Sequence, residues 1–159
     1  MATKIVHWSI GDAPLKDISL TAVIGNFDGV HFGHQKLIST ALELAKNDGT
    51  KVGVITFDPH PRRYFRRNEA GFLLSDITEK NRILSLHGME IIIYVSFNDA
   101  LRQLLPEQFV SDVLHPLGVS RLLAGSDFAF GRGRAGDMSF LSEIGEKYNI
   151  KVTNVSLKV

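Results

Sequence analysis

LTAVIGNFDGVHFGHQKLISTALELAKNDGTKVGVITF, the stretch from Leu20 to Phe57, predicts a strand, a helix and a second strand. Its two ends, Leu20 to Gly25 and Lys51 to Phe57, are nearly continuous apolar runs rich in β-branched residues. Such runs are typical of parallel strands that helices cover on both faces. Between them, His34 to Asn47 places its apolar residues on one stripe, and Gly49 is a typical stop. The stretch therefore predicts a βαβ unit.

The same alternation continues to the end of the chain. Further strands are predicted at Glu90 to Val95, Val119 to Gly125 and Ile150 to Val155. Further helices are predicted at Thr78 to His87, Pro106 to His115 and Ser139 to Tyr148, with Pro106 in a first-turn position. Strands that alternate with helices predict an α/β fold, an open parallel sheet with helices on both faces.

Length and composition narrow the class of protein. The 159 residues, 44% of them hydrophobic and 22% charged, suit one compact domain spanning 1–159. A net charge of +1 gives no reason to expect nucleic-acid binding through bulk charge. The absence of cysteine excludes disulfides, thiolate zinc sites and cysteine nucleophiles. With no signal-peptide pattern and no apolar run near the ~20 residues of a membrane span, we expect a cytoplasmic protein.

The segment GNFDGVHFGHQ, Gly25 to Gln35, carries the strongest chemical signal. Its three glycines let the backbone approach a ligand, and the start of the following helix attracts phosphate. His31 and His34 flank Gly33 at i and i+3, where each ring could donate a hydrogen bond to a phosphoryl oxygen. A metal site is an alternative, although spacing alone nominates no third ligand among Asp28, Asp58 and His60. Packing or surface histidines beside an ordinary turn are another.

The segment TFDPHPRRYFRR, Thr56 to Arg67, follows the second predicted strand. Two prolines stiffen it, so that Asp58 and His60 project from an extended loop. Arginines around Tyr64 and Phe65 suit a flavin, a nucleotide or a single-stranded nucleic acid. A solvated basic loop with its aromatic residues in the core is the alternative.

The segment GSDFAFGRGRAGD, Gly125 to Asp137, follows the fourth predicted strand. It contains a formal GxGxxG, but the glycines do not begin at the strand end and no acidic residue follows at the dinucleotide-binding distance. Its Asp127, Phe128, Arg132 and Arg134 instead predict a ligand-binding loop, with a purely structural glycine loop as the alternative. The chain has no GxxxxGK[ST] and no GxSxG, which argues against P-loop NTPases and serine hydrolases.

Taken together, these motifs resemble a known family. HxGH at His31 to His34 is similar to the signature of the nucleotidyltransferases related to class I aminoacyl-tRNA synthetases. With TFDPHP, LLSDITEK (Leu73 to Lys80) and GSDFAFGRGRAGD, the order resembles the adenylyltransferase domain of prokaryotic bifunctional riboflavin kinase/FMN adenylyltransferases, the FAD synthetases. The resemblance runs from about Thr21 to the C-terminus and implies the Rossmann-like HxGH nucleotidyltransferase fold.

The resemblance implies transfer of AMP from ATP to FMN, which yields FAD and pyrophosphate. Mg²⁺ would be held mainly by the ATP phosphates and water, with no dedicated protein ligands. The implied catalytic residues are His31 and His34. The implied ATP-binding residues are Gly25, Asn26, Phe27, Asp28, Gly29, Gly33 and His34. The implied flavin-side residues are Phe57, Asp58, His60, Pro61, Arg62, Asp127 and Phe128, with Arg132 and Arg134 as further phosphate contacts.

The family pattern usually continues beyond the point where this sequence ends. A Ser/Ser/Thr-x-x-Arg loop and a riboflavin kinase domain are expected after it, and neither is found before Val159. We therefore expect residues 1–159 to represent the adenylyltransferase domain of a longer protein. Three alternatives stay open. They are nucleotidyl transfer to another phosphorylated acceptor, such as a pantetheine or glycerol phosphate, a non-catalytic flavin- or nucleotide-binding module, and binding of single-stranded nucleic acid through Arg62 to Arg67.

The two histidines give a first testable prediction. In a protein that carries the closing loop, His31→Ala and His34→Ala should each lower turnover by about 10²-fold or more, the usual effect of removing a donor that stabilises transition-state charge. Folding stability should change far less. Turnover and the melting temperature of each variant check this, and a loss of activity that merely follows a loss of melting temperature would indicate a packing role.

Overall fold

The computed structural model describes residues 2–27, 32–58, 77–125 and 136–155, with the backbone alone at 32–34. In this part of the chain, six parallel strands form one sheet in the order β1-β4-β3-β2-β5-β6. The strands are β1 Lys4–Trp8, β2 Leu20–Ile24, β3 Lys51–Asp58, β4 Ile91–Ser96, β5 Val119–Gly125 and β6 Lys151–Val155. The five predicted strands are confirmed, and the sheet is parallel as predicted.

From β2 onward, helices lie in the connections between successive strands, and they cover both faces of the sheet. They are α1 Phe32–Asp48, α2 Ile77–Leu86, α3 Asp99–Arg102, α4 Pro106–Phe109 and α5 Met138–Lys147, and α4 continues as a π-helical segment, Val110–Leu114. As predicted, Pro106 begins α4. Gly49 follows α1 in the left-handed region, with φ of 69°. No helix in the described ranges is long and apolar enough to cross a bilayer.

Two elements were not predicted from the sequence. Strand β1 lies at the edge of the sheet beside β4, and its Lys4, Ile5 and His7 are exposed. It therefore lacks the continuous apolar run that marks the other strands. Helix α3 has four residues, too few to show a helical period; it is recognised by its cap, in which the Asn98 side chain accepts from the Leu101 amide at 2.9 Å.

The sheet separates two apolar layers. On one face, α1 and α2 cover a layer that contains Val23, Val54 and Ile92. On the other face, α3, α4 and α5 contribute Leu101, Phe109 and Leu141 to a layer over the alternate strand residues. Every residue of β2 is buried, because this strand has helices on both faces and a neighbour on each edge. Helices on both faces were predicted, and the two layers confirm them.

Helix α2 is attached to the sheet through Tyr94. The Tyr94 hydroxyl, on β4, donates to Oδ1 of Asn81, on α2. The Tyr94 ring stacks on His7 of β1, with centroids 5.3 Å apart and planes 17° from parallel. Burial, with a further contribution from the charge of Asp58, raises the pKa of Tyr94 to about 12.

The turn that enters β5 requires glycine. Gly118 has φ of 75°, and a Cβ there would lie 2.7 Å from the Ile18 carbonyl oxygen. The Gly118 carbonyl accepts from the Leu20 amide at 2.9 Å, which ties the turn to the start of β2. Neither the backbone conformation nor the space admits a side chain.

This turn supplies a stability prediction with a matched control. Gly118→Ala should lower the free energy of unfolding by about 3 kcal/mol or more, because left-handed strain of ~1–2 kcal/mol adds to backbone overlap. Gly49→Ala also places alanine at positive φ, but its Cβ meets nothing within 4 Å. Gly49→Ala should therefore lower the free energy of unfolding only by the left-handed strain of ~1–2 kcal/mol. Urea denaturation measures both, and equal losses would contradict the steric explanation.

Tyr94 supplies a prediction about alkaline pH. Since its pKa rises from about 10 in the unfolded chain to about 12 in the fold, the unfolded state loses its proton first as pH rises. The contribution of the Tyr94 pKa shift to the free energy of unfolding is complete below pH ~10 and is lost as the pH rises from about 10 to 12. It amounts to roughly 2–3 kcal/mol. Urea midpoints at pH 8, 10 and 11 should fall more steeply for the unsubstituted chain than for Tyr94→Phe. Parallel pH profiles would disprove the shift.

Candidate functional site

The strand order places a crevice at the carboxyl ends of β2 and β5. From β2 the chain passes through α1 to β3 on one side, whereas β5 lies on the other side and is reached later, after β4. Ligands of open α/β sheets bind where neighbouring connections diverge in this way. Two of the three segments singled out in the sequence begin here: the one starting at Gly25 after β2, and the one starting at Gly125 at the end of β5.

The first of these segments opens with a tight turn. The Gly25 amide donates to the Ile55 carbonyl at 3.2 Å and so extends the pairing with β3. Phe27 has φ of 49°, and its ring folds back so far that a Cβ on Gly25 would lie 3.1 Å from it. The ring is 1% exposed and belongs to the apolar layer under α1. Any role of Phe27 in nucleotide binding therefore belongs to its backbone.

Two donors converge on the middle of this turn. The Asn26 carbonyl accepts from Nζ of Lys80, on α2, at 2.8 Å and from Oγ1 of Thr56, on β3, at 3.1 Å. Lys80 and Thr56 are both buried, whereas the Asn26 residue as a whole is exposed. The turn therefore presents one side to solvent while hydrogen bonds hold its other side from within.

Helix α1 follows this turn. It begins at Phe32, so the backbone of Gly33 and His34 forms its first turn, and the helix packs across β2, β3 and β5. The first turn contains no acidic residue, which leaves the positive end of the helix dipole uncompensated by a carboxylate of that turn. The predicted residues Asp28, Gly29 and His31, and the His34 side chain, lie outside the described residues.

The predicted flavin-side residues divide in the same way. Asp58 ends β3 with an exposed side chain, and its carbonyl accepts from the Phe97 amide at 3.1 Å. Phe57 is half-buried on the opposite face of the sheet and meets Phe97 edge to face at a centroid distance of 6.1 Å. The remaining predicted residues, His60, Pro61, Arg62, Asp127, Phe128, Arg132 and Arg134, lie outside the described residues.

The end of the glycine-rich segment has a structural role. Asp137 caps α5, where its side chain accepts from the Phe140 amide at 3.0 Å, and the preceding Gly136 is buried. The residue that closes the segment GSDFAFGRGRAGD is thus a helix cap.

Within the described ranges, no three His, Asp or Glu side chains are grouped so that they could hold a metal ion. Asp58 is an exposed carboxylate at the carboxyl edge of β3. A single carboxylate together with substrate phosphates is a donor set that suits Mg²⁺, which keeps much of its water.

Lys80 and Thr56 lie within motifs singled out in the sequence, but sequence reasoning assigned neither of them a role in this region. Lys80 follows Ile77 by three positions and precedes Leu84 by four, so it occupies the core-facing stripe of α2. A lysine in such a position is seldom fully buried without a partner. A lysine on the apolar stripe of a helix is the signal that the sequence contained. The Asn26 carbonyl, 54 residues away, could not be identified from the sequence as an acceptor.

Comparison with known proteins identifies one family. The family model described as FAD synthetase matches residues 14–158. The FAD synthetase of Listeria monocytogenes is 37% identical over 145 residues, covering 90% of this chain and 58% of that protein. The bifunctional riboflavin kinase/FMN adenylyltransferase of Escherichia coli is 35% identical over 147 residues, covering 92% of this chain and 46% of that protein.

Among solved structures, a Streptococcus pneumoniae protein titled a macrolide-efflux protein has a TM-score of 0.79 at 24% identity. The likeness covers 97% of this chain and 51% of that one, and it concerns the fold alone. The chain spans about half the length of the curated relatives that it matches. With the family model matched from residue 14 to residue 158, the chain belongs to the FAD synthetase family.

Proposed function

We propose that this domain is an FMN adenylyltransferase, which transfers AMP from ATP to FMN and releases pyrophosphate and FAD. The match to the FAD synthetase family over residues 14–158 is the observation that carries the proposal. The fold supports it independently, because the segment resembling the nucleotidyltransferase signature leaves the central strand at the crevice where such sheets bind ligands. Residues 1–159 correspond, in this proposal, to the adenylyltransferase domain of the bifunctional relatives.

The proposed reaction is an in-line displacement at phosphorus. An oxygen of the FMN phosphate attacks the α-phosphorus of ATP, and the bond from that phosphorus to the pyrophosphate oxygen breaks. No covalent intermediate with the protein is required, so the protein must position two anions and stabilise the charge that develops on phosphate oxygens.

The ATP side of the proposed site is the segment between β2 and α1. His31 and His34 would donate to phosphoryl oxygens and stabilise the departing pyrophosphate. Residues 25–29 and Gly33 would allow the nucleotide close to the backbone, and the N-terminus of α1 would attract its phosphates. The absence of an acidic residue from the first turn of α1 suits this role, since a carboxylate there would compete with phosphate.

The flavin side of the proposed site is the segment after β3 together with the segment after β5. Asp58 stands exposed at the end of β3, at the start of the stretch that contains His60, Pro61 and Arg62. Asp127 and Phe128 would border the isoalloxazine ring, and Arg132 and Arg134 would contact phosphate. These assignments rest on the resemblance of the motifs.

Mg²⁺ fits the donor set and is proposed with the two substrates. It would be held by ATP phosphates and water, with Asp58 as the carboxylate that the described part of the β3 edge offers. When bound, it would neutralise phosphate charge between two mutually repelling anions.

The proposal is tested with the full-length protein, ATP labelled at the α-phosphate, and FMN as acceptor. We expect Mg²⁺-dependent transfer of the label into FAD, and little transfer when EDTA is present. Pantetheine phosphate and glycerol phosphate, offered separately, are the control acceptors and should remain unlabelled.

Three results would contradict the proposal. Label transfer to another acceptor but not to FMN would place the chain among other nucleotidyltransferases. Calorimetric binding of FMN or ATP without any FAD formation would indicate a binding module. Salt-dependent binding of single-stranded nucleic acid, lost when Arg62 and Arg63 are replaced by Ala, in a protein that forms no FAD would indicate a nucleic-acid function.

A further inference from the structure

Lys80 is a buried lysine whose charge points at the backbone of the proposed ATP loop. It is 7% exposed, and its Nζ lies 2.8 Å from the carbonyl oxygen of Asn26. Burying an ammonium group is costly unless it forms strong hydrogen bonds. A leucine at this position of α2 would fill the layer at no such cost, so the lysine needs an explanation other than packing.

Lys80 does not act on this carbonyl alone. Thr56, 0% exposed, also donates to it, at 3.1 Å, so both lone pairs of the Asn26 oxygen have donors. A carbonyl with two fixed donors has a fixed direction. Because the peptide unit is planar and trans, the amide of Phe27 must then point the opposite way, away from β3 and α2.

The elements that hold this turn are themselves held in place by further contacts. Helix α2 is held to β4 by the hydrogen bond from Tyr94 to Asn81, the residue next to Lys80, and by Leu84, which is 0% exposed. Phe27 is held with φ of 49°, a conformation that costs a non-glycine residue about 1 kcal/mol or more. Such strain persists only where the surroundings over-determine the backbone.

We propose that Lys80 is a positioning residue for ATP, which sets the direction of the Gly25–Phe27 turn through the Asn26 carbonyl. The inference rests on the proposed function, since it assigns the turn to ATP. Lys80 itself contacts no reacting atom in this scheme. Its effect is exerted through the backbone, where displacements of about 1 Å in a positioning element suffice to cost a large factor in rate or affinity.

The test compares Lys80→Met with the unsubstituted full-length protein. Methionine keeps the approximate length of the side chain and its apolar stem but removes the donor. We expect the KM for ATP to rise about tenfold or more, in line with the loss of the charged hydrogen bond to the Asn26 carbonyl. The KM for FMN should change less than about twofold, and calorimetric titration should show a matching rise in the Kd for ATP.

A matched pair at Thr56 tests the same carbonyl independently and serves if Lys80→Met does not fold. Thr56→Val removes the second donor without a change of shape, whereas Thr56→Ser retains the hydroxyl. The valine variant should raise the KM for ATP about two- to fivefold, a smaller effect because a neutral donor is weaker than a charged one. The serine variant should restore a value close to that of the unsubstituted protein.

Two control variants distinguish an effect on the position of the turn from a loss of stability and from a change of net charge. Leu114→Val loosens the apolar layer on the other face of the sheet, where Leu114 is 0% exposed, and should lower the melting temperature without raising the KM for ATP. Lys151→Met removes an exposed lysine at the start of β6, at the opposite edge of the strands, and should change neither quantity.

The outcomes distinguish this inference from the proposed function. Formation of FAD by the unsubstituted protein, with a KM for ATP unchanged in Lys80→Met and Thr56→Val, would overturn the positioning role alone. A rise of both KM values in proportion, or the same rise in Leu114→Val, would also overturn it, because it would indicate a general loosening. Absence of FAD formation in the unsubstituted protein would overturn the proposed function, and this inference with it.

Discussion

The enclosure of β2 is the constraint on which the rest of the structure depends. This strand has β3 on one edge, β5 on the other, and an apolar layer on each face, so none of its five residues reaches solvent. Polar groups that face solvent can therefore occur only after the end of this strand. The chain leaves β2 at Gly25 and turns through Asn26 and Phe27, and Asn26 is the first exposed residue after the central strand.

Several polar side chains of the layer between the sheet and its helices lie near this edge. On the face covered by α1 and α2, Thr56 and Tyr94 are paired in register on β3 and β4, and Lys80 and Asn81 face them from α2. Each of the four takes part in a hydrogen bond described above. Polar side chains in an apolar layer are tolerated when they are satisfied in this way, and in return they specify one arrangement of backbone where apolar packing alone would allow several.

Sequence alone predicts best the strands that are buried on both faces and the helices that carry a regular apolar stripe. Strands β2, β3 and β4 are buried on both faces, which yields continuous apolar runs, and α1 repeats its apolar residues at a helical period. Strand β1 escaped prediction because its edge position leaves three of its five residues exposed. The crevice followed from the segments after the strands, but the Lys80 contact did not, because a pairing across 54 residues depends on how α2 docks. For His31, His60 and the residues after Gly125, the assignment still rests on motif and family.

The edge position of β1 bears on how the protein is made. Its only strand partner in the described sheet is β4, and the hydrogen bond from the Thr3 hydroxyl to the Met89 carbonyl joins residues 86 positions apart. On the ribosome, β1 emerges long before β4, whereas β2 meets β3 soon after α1 has formed. Among the described strands, β1 therefore has no partner until β4 has been synthesised, so its docking is a non-local step that follows the pairing of β2 with β3.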